Sequence, residues 1–175
     1  MVLSKKNWPF LILLSIFPFF AAAQERPILD WNFFKNDRPA NAEHQAYTWA
    51  IVSYRYQPTQ LKGDKMEVQF EVKLKMDTAR SYFQADKRAA GSKLLKHEQG
   101  HADISCIYAR KLKEKFTSAT YSANHYQKEI KAIFDEVFAE MNAEQLRYDA
   151  ETNHSMNASA QQKWDSYFSA QLEGK

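Results

Sequence analysis

The sequence contains little of the residues that define several classes of protein. It has one cysteine, four glycines and five prolines among 175 residues. A single cysteine excludes an internal disulfide framework and a cysteine-rich zinc finger, and the scarcity of glycine and proline excludes a collagenous or low-complexity chain. The formal net charge of +3 is too small for a disordered chain in which 45% of the residues are apolar. The composition therefore predicts one globular domain with a hydrophobic core.

The amino-terminal region has no apolar run long enough to cross a bilayer. Its apolar stretch, Trp8 to Phe20, has thirteen residues, whereas a membrane span needs about 18 to 20. Lys5 and Lys6 precede the stretch, and three alanines ending at Ala23 follow it. This order is typical of a secretory signal peptide over residues 1–23, and an uncleaved membrane anchor is the alternative.

Cleavage between Ala23 and Gln24 would leave a single domain over residues 24–175. We expect this mature chain to be secreted or periplasmic and to have no stable membrane span. Cleavage removes two lysines and no acids, so that the formal net charge falls from +3 to +1. A charge this small argues against nucleic acid as a partner. The remaining thiol, Cys106, would be unpaired in an oxidising compartment, and we therefore expect it to be buried.

The residue patterns of the mature chain predict strands first and helices afterwards. Trp49 to Tyr56 is rich in aromatic and β-branched residues, and Met66 to Met76 alternates strictly between apolar and polar side chains. Strict alternation is typical of an antiparallel strand with one buried face. If Met66 to Met76 were an edge strand beside a cleft, its main chain would be able to hold an extended peptide. Helices are predicted over Ser92–Phe116, Asn124–Asn153 and Ala158–Leu172, which places the domain in the α+β class.

One short motif in the first predicted helix indicates metal chemistry. His97-Glu98-Gln99-Gly100-His101 fits the pattern H-E-x-x-H. Histidines four residues apart lie on the same face of a helix, so that both imidazoles can bind one Zn²⁺ ion. Glu98 is close enough to take a proton from a zinc-bound water without ligating the metal. The motif predicts a zinc metalloprotease with one Zn²⁺ per chain, His97 and His101 as ligands, Glu98 as general base, and a peptide or protein as substrate.

Two other functions use the same residues. A zinc amidase acting on a cell-wall amide would share the metal chemistry and differ only in its substrate. A non-catalytic zinc-binding or interaction module of the cell envelope would use the ligands without turnover. Glu98 argues against this last function, because a structural zinc site fills all four positions with protein groups and needs no carboxylate beside them.

A catalytic zinc site usually has a third protein ligand, and the sequence offers several candidates. His44 lies in a polar loop and has no supporting pattern. His125 and His154 lie at opposite ends of the second predicted helix, about 45 Å apart at about 1.5 Å per residue, and cannot share one metal. We predict His154, because Tyr148 and Thr152 extend the apolar stripe of that helix and turn its carboxyl end toward the first helix. The acidic alternatives are Asp149, Glu151 and Glu144.

Four further residues have expected roles. Tyr148 would donate its hydroxyl to the oxyanion of a tetrahedral intermediate, or would complete the apolar stripe as a core aromatic. Asp149 would accept the second ring N–H of a ligating histidine, or would be a solvated carboxylate. Gly100 destabilises a helix by about 0.5–1 kcal/mol relative to alanine, so that we expect close approach of another backbone or of substrate; tolerated variation is the alternative. Asp103 faces away from the histidines, and we expect it to pair at the surface.

Several blocks of this sequence resemble a bacterial exported family, the domain of unknown function number 922, which is predicted to be a zinc-dependent peptidase. The blocks are Leu94 to His101, Asp103-Ile104, Tyr108 to Leu112, and Tyr148-Asp149 with Thr152 and His154, with weaker similarity at Leu29-Asp30-Trp31 and Ser81-Tyr82. The similarity covers roughly residues 28 to 165, nearly the whole mature chain. It implies an exported, single-domain metallopeptidase-like protein. Together with the residue patterns, it predicts a small antiparallel sheet followed by a zincin-like pair of long helices and a C-terminal helix.

The resemblance also implies roles for individual residues. It assigns zinc binding to His97 and His101, catalysis to Glu98, and the third ligand to His154, with Tyr148 and Asp149 as site residues. The chain departs from the family pattern at one position. The family usually has glycine after the histidine of the second block, whereas this chain has Ser155. If that glycine adopts a positive φ that orients the histidine, serine is the less favourable residue there.

Overall fold

The computed structural model describes residues 24–84 and 92–173. The predicted signal peptide, residues 1–23, lies outside the described residues. The elements are β1 (Asn36–Asp37), β2 (Ala46–Tyr47), β3 (Ala50–Lys62), β4 (Lys65–Met76), β5 (Tyr82–Phe83), α1 (Ser92–Ser118), β6 (Tyr121–Ser122), α2 (Tyr126–Thr152) and α3 (Ala158–Leu172). The predicted α+β class, with two long helices and a C-terminal third, is confirmed.

The two long strands form an antiparallel hairpin that continues for nearly their whole length. Ala50 pairs with Met76 and Lys62 with Lys65, with one register shift between Pro58 and Gln60. The strict alternation along β4 has the predicted result, since its apolar side chains face α1 and its charged ones face solvent. Strand β6 pairs with the other edge of β4, so that this sheet has the order β3-β4-β6.

Three very short strands form a second sheet of order β1-β5-β2. Strand β5 runs parallel to β1 and antiparallel to β2. This sheet anchors the segment that precedes β1, because Leu29 and Phe34 bury their side chains against Phe83 of β5 and Leu94 of α1. The aromatic residues Trp31, Phe33 and Phe34 therefore belong to this part of the core.

Helix α1 lies at the centre of the domain. One face packs on β4, where the rings of Phe116 and Phe70 stack with their centroids 4.6 Å apart. Another face packs on α2 and α3 through a core that includes Ile104, Tyr148 and Phe168. Cys106 is fully buried in this core, as expected. None of the described helices combines the length and the apolarity that a bilayer span requires.

The back of α1 is covered by residues 24–29. The guanidinium of Arg26 donates to both carboxylate oxygens of Asp103, at 2.8 and 2.7 Å. Gln99 donates to the carbonyl of Pro27 and accepts from the N–H of Leu29, each at 2.8 Å. The expectation that Asp103 pairs at the surface is wrong, because the segment before the sheet buries it. The helical repeat correctly predicts that Asp103 faces away from the histidines. It could not show that residues 24–29 cover that face of the helix.

Candidate metal centre

Two histidines on α1 and one aspartate on α2 bring three donor atoms together. Nε2 of His97 and Nε2 of His101 lie 3.3 Å apart. Oδ1 of Asp149 lies 3.1 Å from each of these nitrogens. Within the described residues, the donor atoms of these three side chains are close enough together to hold one metal ion. We call them the metal group.

The hydrogen bonds behind the metal group determine which ring nitrogens carry protons. Nδ1 of His101 lies 2.6 Å from Oε1 of Gln145, an oxygen that can only accept, so that Nδ1 carries the hydrogen. Nδ1 of His97 lies 3.3 Å from the hydroxyl of Thr152, which itself donates to the carbonyl of Tyr148. In both neutral rings the Nε2 lone pair therefore points at the carboxylate. When both rings are neutral, three acceptor atoms face one another, and such a group is stabilised by a metal ion or by a proton on one of the two Nε2 atoms.

The spacing of the three atoms fits a zinc ion. In a tetrahedral site with zinc–nitrogen distances of about 2.0–2.1 Å, neighbouring donors lie about 3.3 Å apart. The observed separations are 3.1, 3.1 and 3.3 Å. Two imidazoles and one carboxylate are also ligands that zinc prefers. The donor set and its dimensions could therefore hold a metal ion, and zinc as its identity stays a prediction.

The charges at the metal group stabilise one another. Burial opposes ionisation of Asp149, but the hydrogen bonds that His101 and His97 donate when Nε2 is protonated hold the pKa of this carboxyl well below its usual range. Burial lowers the pKa of His101, and the bond to Asp149 and the charge of Glu98 outweigh burial, so that the pKa of His101 is raised. Both shifts indicate a strong local preference for positive charge between the acids.

Glu98 is buried beside the metal group, with 2% of its surface exposed. Its Oε2 accepts a hydrogen bond of 2.6 Å from the hydroxyl of Thr48. No ion pair to Glu98 occurs within residues 24–84 and 92–173. A buried carboxylate without a cationic partner is held at an energetic cost, which is typical of functional sites.

Tyr148 lies beneath the metal group. Its ring stacks on that of His97 with a centroid distance of 4.7 Å, and its hydroxyl donates to the carbonyl of His97 at 3.0 Å. The side chain is fully buried, and Gln161 donates to its hydroxyl at 2.8 Å. These contacts agree with the core alternative for Tyr148, and its oxyanion role stays a prediction.

The same tyrosine explains Gly100. A Cβ atom at this position would lie 2.2 Å from the hydroxyl oxygen of Tyr148 and 2.4 Å from its Cζ. Close approach was expected, but of a backbone or a substrate; the structure has a side chain there instead. Glycine is required because α2 packs an aromatic ring directly on this turn of α1.

His154 reaches the metal group through Asp149. Its Nδ1 lies 3.3 Å from Oδ1 of Asp149, its side chain is half exposed, and its ring centroid lies 5.1 Å from that of His44. The main chain holds it in an unusual conformation, since Asn153, His154 and Ser155 have φ values of 46, 48 and 78°. Ser155 thus adopts the positive φ that the family's glycine would favour.

The other candidate ligands lie elsewhere. Glu151 accepts a hydrogen bond from the indole N–H of Trp164 at 2.8 Å, and Glu144 forms an ion pair with Arg147 at 2.6 Å. His125 precedes the first residue of α2, at the end opposite Asp149.

The metal group opens into a cleft of about 790 Å³. One wall is the stretch from Glu43 to Ala50, and the other is α2 between Phe138 and Asp149. None of the β4 residues lines this cleft, so that the condition under which β4 would hold an extended peptide is not met. The stretch beside the site contains β2 and the first residue of β3. A strand of two residues is too short to show an alternating pattern in the sequence.

The polar residues that support the site, Gln145 and Thr48, were not predicted from the sequence. Gln145 precedes Asp149 by one helical turn, and this i, i+4 spacing on the predicted face of α2 is a signal that pointed to it. Thr48 had no such signal, because it is distant in sequence from Glu98 and lies between two strands.

Comparison with known proteins identifies one family. The family described as bacterial protein of unknown function (DUF922) matches residues 31–155, a range that includes the whole metal group and Glu98. No curated protein and no solved structure matches the chain. The chain therefore belongs to the bacterial family of unknown function DUF922.

Proposed function

We propose that this protein is an exported zinc-dependent metallopeptidase that hydrolyses peptide bonds. The observation that carries the proposal is the metal group, in which three acceptor atoms converge within 3.3 Å beside a buried carboxylate and at an open cleft. The geometry suits a cation, and the carboxylate suits a proton acceptor.

Zinc bound by the metal group would polarise the substrate carbonyl and lower the pKa of water. Glu98 would then take the proton of the attacking water and pass it to the leaving amine. The hydroxyl of Thr48 holds one carboxylate oxygen at 2.6 Å and so fixes the direction of the other. Gln145 and Thr152 would place the hydrogen of each neutral ring on Nδ1, so that Nε2 is the nitrogen available to the metal.

Two residues compete for the third ligand. The contacts of Asp149 with both histidines support it as a direct donor, in place of its expected supporting role. His154, the predicted ligand, is 3.3 Å from the same carboxylate oxygen and would orient it. Replacing the donor should lower zinc affinity by more than about 100-fold, and replacing the orienting residue by about 10- to 100-fold. Asp149→Ala should therefore have the larger effect; the reverse order would make His154 the ligand.

The metal itself is tested by elemental analysis of the purified mature chain. Wild type should hold one zinc per chain, and His97→Ala and His101→Ala should hold none. His125→Ala is the matched control, because this histidine lies at the other end of α2 and should leave the zinc content unchanged. Full zinc content in both ligand variants would refute the assignment.

Catalysis is tested by Glu98→Gln. The variant should keep its zinc and its fold, and lose hydrolysis of an unfolded, fluorescently labelled protein by about 100- to 10,000-fold, the usual contribution of a general base. Glu114→Gln makes the same change at an exposed position of α1 and should match wild type. A chelator should abolish the wild-type activity. Turnover of cell-wall fragments without turnover of protein would identify the amidase alternative, and zinc without any hydrolysis would identify a non-catalytic module.

Export is a separate part of the proposal and rests on the composition of residues 1–23. Expression of the full chain in a bacterium, followed by fractionation and mass determination, should give a periplasmic or secreted protein that begins at Gln24. A chain that keeps Met1 in the membrane fraction would support the uncleaved anchor instead.

A further inference from the structure

The cleft continues from the metal group along one face of α2. Phe138, Asn142, Gln145 and Asp149 follow one another at spacings of four, three and four residues, which places them in a line on one side of the helix. Eleven residues separate the first from the last, about 16 Å at about 1.5 Å per residue. The site is therefore elongated, with the metal group at one end and an aromatic ring at the other.

The walls of this cleft carry most of the exposed apolar side chains of the described residues. Six large apolar residues are exposed, and four of them line the cleft: Tyr47, Phe138, Leu146 and Met156. Leu146 and Met156 are 72% and 78% exposed. Clustered apolar side chains in a concave surface mark a binding site, whereas single ones on a convex surface need no explanation.

Phe138 is held in place at the far end. Its ring stacks on that of Phe134, with a centroid distance of 5.6 Å and an angle of 18° between the planes. Phe134 in turn packs on Tyr54 of β3. A fixed, half-exposed ring offers contact area to a ligand at little entropic cost.

We propose that the substrate is an extended polypeptide and that Leu146 and Phe138 select apolar side chains at two of its positions. This inference rests on the proposed function. Leu146 is three residues from Asp149, about 4.5 Å along the axis, and would contact a side chain next to the scissile bond. Phe138 lies about 16 Å from Asp149, the length of about five residues of extended chain at about 3.3 Å each. A small amide would occupy only the end near the metal group.

The test uses fluorescein-labelled decapeptides of alanine and serine, each with one phenylalanine at a different position, and one peptide with none. The ratio kcat/KM should rise by about 10- to 100-fold for phenylalanine at two separate positions, the effect of burying one large apolar side chain. Leu146→Ser should remove the preference near the scissile bond, and Phe138→Ser the preference about five residues away. Leu61→Ser is the matched control, since Leu61 is similarly exposed at the far end of the β3–β4 hairpin.

A binding experiment separates this inference from the proposed function. Fluorescence anisotropy of the same peptides with Glu98→Gln measures their affinity without turnover. If wild type cleaves no peptide but the affinities show the same two preferences and the same losses, the cleft is a peptide site and the proposed activity is wrong. The inference is overturned if wild type cleaves all these peptides with the same kcat/KM, or if Leu146→Ser and Phe138→Ser keep the wild-type preferences. The proposed peptidase activity would stand in either case.

Discussion

Two buried acids on helix α1 lie five residues apart and have opposite surroundings. Asp103 is 1% exposed and accepts two hydrogen bonds from the guanidinium of Arg26 and a third from Gln99. Glu98, 2% exposed, accepts one hydrogen bond from the uncharged hydroxyl of Thr48. The two acids are therefore buried to the same degree and differ in their partners, and this difference supports the proposal that Glu98 is the general base.

The difference extends to the two faces of the helix. The back face is closed by residues 24–29, whose main chain and side chains satisfy its polar groups. The front face leaves an acid without a cation and three acceptor atoms facing one another at the cleft. Such an arrangement lowers the stability of the zinc-free protein, and under the proposed function a bound metal ion or substrate would restore it.

The largest effect on stability is expected at the back face. Asp103→Asn removes the charge that balances Arg26, and should lower the free energy of unfolding by about 3 kcal/mol, as for other buried pairs that lose one partner. Glu98→Gln removes an unbalanced buried charge and should leave the stability of the zinc-free protein equal or higher. Urea denaturation of both variants in the presence of a chelator measures the contrast. Equal losses would mean that the two acids play the same structural role.

A smaller effect is expected beneath the front face. Gly100→Ala places a Cβ atom 2.2 Å from the hydroxyl of Tyr148, a ring fixed between His97 and Trp164. Overpacking of this kind costs about 1–3 kcal/mol, and the displaced His97 should also weaken zinc binding. Thermal unfolding and zinc titration measure both effects.

A second substitution checks the cause. In Gly100→Ala/Tyr148→Leu the smaller side chain leaves room for the Cβ atom, so that the double variant should lose less stability than the sum of the single ones. Strict additivity would show that the clash is not the reason for glycine at this position.

The smallest effect is expected at the turn that carries His154. Ser155→Gly should stabilise the protein by about 0.5–1 kcal/mol, because a serine at positive φ is strained and glycine is not. Ser166→Gly, an exposed position inside α3, should have the opposite sign and a similar size. A loss of stability in Ser155→Gly would show that the serine conformation is not strained.

Much of the fold was predictable because its long elements have clear periods. The predicted α3 agrees with the structure at both ends, and α2 is shorter by two residues at its start and one at its end. The hairpin strand β3 extends well beyond Tyr56. The strands β1, β2, β5 and β6 were not predicted, because elements of two residues have no measurable period and form only where a partner strand lies beside them.

The site was predictable to the extent that its residues share one helix. His97, Glu98 and His101 are placed by the helical repeat alone. The contact of Asp149 with both histidines depends on how α2 crosses α1, and that crossing depends on Tyr148 fitting against Gly100. Residues that support the site from other segments, such as Thr48, were not predictable for the same reason.

The sequence by itself determined what is local: the helical repeat aligns two imidazoles and an acid, and strict alternation along β4 gives it one buried face. The tertiary structure decided that Asp103 pairs with a cation and that Glu98 does not. Their partners, Arg26 and Thr48, lie 77 and 50 residues away from them in the chain. Charge pairing and burial act through space, and the separation of two residues in space is set by packing rather than by their separation along the chain.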